Sequence, residues 1–153
     1  MELFRPDIRG DIFYIDLDST IVEDPQELLT VKNITMLSGD YDPEKLGSGV
    51  MFWPEGSREQ VWKQWTKAPH FHKNGDQQFI ERLNLKVDRW QNIRPGMLVS
   101  YKCGVNPLGY VPQGTKIVYF HGKPRPWDAD VALIDEKSPE GSIRSHQELL
   151  RAR

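Results

Sequence analysis

The chain of 153 residues has one cysteine, Cys103, so no disulfide can form within it and its stability has to come from packing. A lone thiol without a staple points to a reducing, cytoplasmic setting. Long apolar runs are also missing. Nowhere do the roughly 18 apolar residues of a membrane span follow one another, and Met1–Gly10 carries four charged residues, unlike a secretory signal. Neither charge sign is in excess: 20 Lys and Arg face 22 Asp and Glu, for a formal net charge of −2. That balance argues against a general positive field for nucleic acid or an anionic lipid surface. Internal repeats and low-complexity tracts are absent, which excludes solenoids and repeat arrays.

What is present is an ordinary globular composition, 38% hydrophobic and 27% charged, on a length that can bury a core unaided. The expected organisation is one domain over 1–134 and a polar tail over 135–153, either helical from Ser145 or mobile. Asp11–Asp18 reads as a buried, parallel-type strand, because an aromatic and β-branched run ends abruptly in acids. Asp24-Pro25 opens a short helix, and Val31–Leu37 is a second strand. Gly47–Pro54 is a strand that Pro54 must end. Ser57–Thr66 and a segment from Gly75-Asp76 are helices, with Ser57 as a candidate N-cap and Phe79, Ile80 and Leu83 on one face of the second. Met97–Lys102 and Lys116–Phe120 complete the strands. Buried strands alternating with helices predict an α/β fold with a mixed, mainly parallel sheet.

The acids that close the first strand carry the first chemical signal. In an extended backbone Asp16 and Asp18 leave the same face, and two carboxylates at a strand's C-terminal end suit a hard divalent cation, Mg²⁺ or Mn²⁺. The plain alternative is that one acid caps a turn while the other is solvated. Asp16-Leu17-Asp18-Ser19-Thr20 resembles two different families. In haloacid-dehalogenase-type phosphatases the first acid, here Asp16, is a phosphoryl-accepting nucleophile. In GT-A glycosyltransferases both acids hold the metal that clamps a nucleotide-sugar diphosphate. Ser38 imitates a second phosphatase motif, but no later acidic pair follows an apolar lead-in.

Three further segments, in order, resemble glycogenin-like GT-A glycosyltransferases. They are Gly47-Ser48-Gly49-Val50-Met51, Gly75-Asp76-Gln77, and Tyr119-Phe120-His121-Gly122-Lys123-Pro124-Arg125-Pro126-Trp127. The lead-in Met1–Gly10 is similar to that of bacterial and phage members of this wider group, so the resemblance runs from near residue 1 to about residue 128. It implies that Asp16, Asp18 and His121 hold Mn²⁺ or Mg²⁺. Gly122, Lys123, Arg125 and Trp127 would contact the nucleotide-diphosphate sugar donor, as would Ser48, Gly49 and Gln77. Asp76 would be the catalytic carboxylate near the reacting carbon. A metal and basic side chains would neutralise charge developing on the departing diphosphate. The residues do not specify the acceptor or the stereochemistry.

Each assignment has a plainer counterpart. Asp76 also suits an N-cap, and a single histidine such as His121 also suits a structural role. His70 and His72 suggest either a second metal site or a solvated loop. Trp62 and Trp65 fit a core better than a sugar platform, while Trp53 and Trp127 fit either. Three positions depart from the family pattern. Aligned on Gly122 and Trp127, the family's metal histidine falls at Tyr119, with His121 two residues on and on the same strand face. Gly47 replaces an asparagine, and Arg125 replaces a lysine.

In GT-A enzymes the Asp-x-Asp strand follows an N-terminal nucleotide-binding half, whereas here it lies at residues 16–18. The resemblance therefore implies that this half is missing or is supplied by another chain, a partner or a second copy. A catalytically inactive remnant or a binding protein of the same fold is the alternative to an active transferase.

Overall fold

Strands form where β-branched and aromatic residues cluster, and each ends where the sequence turns polar or reaches proline. The computed structural model describes residues 1–67 and 75–129; His70, His72 and the tail from 135 lie outside the described residues. In chain order the strands are β1 (Ile12–Ile15), β2 (Thr20–Ile21), β3 (Thr35–Ser38), β4 (Leu46–Trp53), β5 (Asp88–Arg89), β6 (Leu98–Ser100) and β7 (Ile117–Tyr119). Two helices, α1 (Glu59–Lys67) and α2 (Gly75–Arg82), follow β4. The helix opening at Asp24-Pro25 is a five-residue 3-10 helix, Gln26–Thr30, with Asp24 Oδ1 accepting the Gln26 N–H at 3.0 Å. Ser57 does not cap α1; its hydroxyl donates to Pro54 O at 2.6 Å. Among the described residues no helix is long and apolar enough to cross a membrane.

The chain divides into two compact units, each built from segments distant in sequence. The first comprises Met1–Tyr14 and Val31–Arg89. Its sheet has the order β1-β4-β3-β5, with β3 antiparallel to β4 and parallel to β5. The loop between β3 and β4 returns the chain beside itself, which makes those neighbours antiparallel. Phe4, Met36, Met51, Trp53, Val61 and Ile80 are buried in one cluster, with Trp62 and Trp65 packed against it. Phe4 meets Trp53 edge-on at 4.9 Å, and Trp65 meets Phe79 edge-on at 5.4 Å. Trp53 is therefore a core residue, and the half-buried Trp62 and Trp65 cover the edge of that core. Arg58, only 4% exposed, donates from Nη2 to Ile8 O at 3.1 Å and Gly10 O at 2.8 Å, anchoring the segment ahead of β1.

The second unit comprises Ile15–Thr30 and the chain from Trp90. Its sheet has the order β2-β7-β6, with β2 antiparallel and β6 parallel to β7. Both sheets are thus mixed, as the sequence predicts, but each combines an antiparallel with a parallel pairing rather than being mainly parallel. Val99, Tyr101, Val105, Val118 and Phe120 form its core, and Tyr101 stacks on Phe120 at 4.8 Å and 14°. After β6 the backbone winds into a π-helical turn, Tyr101–Val105. Glu23 accepts from Lys116 Nζ at 2.9 Å, and this hydrogen bond holds the ammonium pKa above the usual lysine value.

Candidate functional site

β1 ends at Ile15, and Asp16–Ser19 is a turn closed by the Ser19 N–H on Asp16 O at 3.0 Å. The extended-backbone argument for placing both acids on one face therefore does not apply; they share a tight turn instead. Its tip, Leu17, is fully exposed, while the Asp18 side chain is 14% exposed. Ser19 Oγ is buried in the same turn without a hydrogen-bond partner among the described residues.

Strand register explains what meets this turn. β2 pairs with β7 through Thr20↔Val118 and Ile21↔Ile117, so the turn before β2 and the segment after β7 leave the same end of this antiparallel pair. The closing motif follows directly. Arg125 Nη1 donates to Asp18 Oδ2 in an ion pair that spans 107 positions of sequence. Gly122 adopts φ +64, in the left-handed region that favours glycine, and nothing lies within 4 Å of where a Cβ would sit. Lys123 is exposed. Trp127, on a 3-10 turn Pro126–Asp128, is 76% exposed, so unlike Trp53 it presents its indole to solvent.

β6 runs parallel to β7 with Ser100↔Tyr119, so both strands deliver their C-terminal ends to the same side. Ligands of open α/β sheets collect at such ends. Ser100 is fully buried; its Oγ accepts the Cys103 N–H at 3.1 Å and bonds His121 Nε2 at 2.9 Å. Cys103 Sγ lies 3.8 Å from the same nitrogen. Tyr119 and His121 rings are 6.3 Å apart, but Tyr119 is buried while His121 is half-buried. Of the two residues that could stand for the family's histidine, His121 is thus the more accessible. Asp16, Asp18 and His121 do not bring three ligand atoms within 4.8 Å of one another. Ser100 carries no motif in the sequence; the signal that could have found it is a serine closing an apolar strand that must neighbour another.

The remaining predicted residues belong to the first unit. Met36 pairs with Met51 but Leu37 pairs with Gly47, so the register of β4 on β3 shifts across Ser48–Val50 and the strand bulges there. Bulges of this kind re-aim side chains. Here Ser48 Oγ donates to Asp76 Oδ1 at 3.3 Å, at the second residue of α2. Asp76 and Gln77 are half-buried. A Cβ on Gly47 would stand 3.0 Å from Leu37 Cβ, which gives a packing reason for glycine where the family has asparagine.

No family model matches the chain, and no curated protein sequence matches it. Among solved structures it is similar to the crystal structure of the glycosyltransferase GlyE of Streptococcus pneumoniae TIGR4, with a TM-score of 0.54 at 14% identity. The match covers 97% of this chain and 40% of that one, so the chain spans less than half the length of its structural neighbour. The likeness shows a glycosyltransferase-like fold.

Proposed function

We propose that the chain is a metal-dependent glycosyltransferase of GT-A type, related to the glycogenin-like family, that transfers a sugar from a nucleotide-diphosphate donor. The observation that carries this reading is the meeting of Asp18 with Arg125, the acid of the first motif with the base of the last. The fold likeness supports the same class. The donor set fits a hard divalent cation: two carboxylates share one turn with an orphaned hydroxyl, Ser19 Oγ, and oxygen donors are what Mg²⁺ and Mn²⁺ take.

In this reading Asp16 and Asp18 hold the cation; His121 is the nitrogen ligand the resemblance implies, although its ring is not gathered with both carboxylates within 4.8 Å. The cation would supply positive charge to the diphosphate as it departs. Lys123 and Arg125 add charge to the same phosphates, and Gly122 leaves the backbone open to them. The resemblance further assigns sugar binding to Ser48, Gly49 and Gln77 and the reacting carbon to Asp76, and the exposed indole of Trp127 offers an apolar face to a sugar ring. Asp18→Asn is expected to weaken metal-dependent donor binding about tenfold or more, roughly 1.4 kcal/mol, in a calorimetric titration. Unchanged affinity would remove Asp18 from the ligand set. Metal-dependent donor binding without sugar transfer would place the chain among inactive or binding members of the fold.

A further inference from the structure

We propose that Arg125 is the resident counter-ion of Asp18 and gives that carboxylate up to a divalent cation, moving onto the donor's diphosphate, so that metal and diphosphate bind as a coupled pair. The proposal rests on the transferase reading above and specifies how its site is regulated.

An ionised carboxylate that is 14% exposed has lost most of its water and needs a positive partner. Arg125 supplies one, and a guanidinium stays charged at every ordinary pH. The partner itself remains 42% exposed, so no burial holds it in place. Its contact to Asp18 is made through Nη1. Metal and guanidinium, both cations, repel each other at one carboxylate. A metal that takes Asp18 through Oδ2, the oxygen Arg125 holds, displaces the guanidinium.

Once displaced, the guanidinium needs another anion. It stands two residues from Lys123 and three from the left-handed Gly122, on the segment assigned to phosphate. Its planar fork matches phosphate oxygens bidentately, which a lysine ammonium does not. Metal alone thus binds against a competing cation, and diphosphate alone meets an arginine that is already engaged. Bound together, each relieves the other's cost, and linkage makes that gain reciprocal.

The test is isothermal titration of the full chain with Mn²⁺ alone and with the preformed Mn²⁺–pyrophosphate complex, comparing wild type, Arg125→Gln and Arg125→Lys. The expected signature is two effects of opposite sign from Arg125→Gln: Mn²⁺ alone binds about threefold tighter or more, while the complex binds about tenfold weaker. Arg125→Lys keeps the charge and should stay near wild type for Mn²⁺ alone. A residue with a purely structural role would weaken both ligands. If wild type binds the complex but Arg125→Gln takes Mn²⁺ no more tightly, the exchange is wrong and the transferase reading stands. If no form binds either ligand, both are wrong. Should Arg125→Gln fail to fold, the Arg125 Nε–H resonance of wild type decides: saturating Mg²⁺ must shift it, and a stationary signal overturns the exchange.

Discussion

Ser100 shows how much one buried hydroxyl can organise. Its Oγ takes the Cys103 N–H at 3.1 Å and bonds His121 Nε2 at 2.9 Å, so it fixes both the turn after β6 and the imidazole at the end of β7. Removing it takes both of these bonds out of the unit, and Ser100→Ala should cost about 0.5–1.5 kcal/mol per bond lost, read as a lower denaturation midpoint. An unchanged midpoint would show that the bonds contribute nothing net. Asp18 is different in kind: the strand-then-acid pattern singled the residue out, but through a side-chain parity that this stretch does not have. Side-chain parity presumes an extended chain, and the Asp16–Ser19 hydrogen bond folds that stretch into a turn. The partner of Asp18 was out of reach of any local pattern, because it lies 107 positions away.

Local signals located most of the regular elements. The apolar run closed by Pro54 is β4, the Gly75-Asp76 opening is α2, and the runs before Ser100 and Phe120 are β6 and β7. What they missed depends on neighbours. The bulge at Ser48–Val50 exists because β3 pairs with β4 in two registers, which no single strand reveals. The π-helical turn after β6 is another such case. It folds back closely enough that a Cβ on Gly104 would lie 2.4 Å from Val99 Cγ1. Val99 is itself buried in the core, so the clash cannot be relieved into solvent. Gly104→Ala should destabilise the protein by about 1–3 kcal/mol through overpacking, measured by chemical denaturation. A stability equal to wild type would show that this turn can shift without cost.

The division into two compact units is set by tertiary packing: each collects segments separated by tens of residues, which no local pattern in the sequence shows. The predicted site residues divide accordingly: Asp16, Asp18, His121 and the Gly122–Trp127 segment belong to one unit, Ser48, Gly49, Asp76 and Gln77 to the other. The motif order that suggested a glycosyltransferase agrees with a fold likeness extending over 97% of the chain. The reading stands or falls on whether this fold takes a nucleotide-diphosphate sugar through a divalent cation. The direct measurement is calorimetric titration of the full chain with a panel of nucleotide-diphosphate sugars, in Mn²⁺ and again in EDTA. Saturable binding of at least one donor in Mn²⁺, lost in EDTA, is expected. Binding of none, or binding indifferent to EDTA, would contradict it.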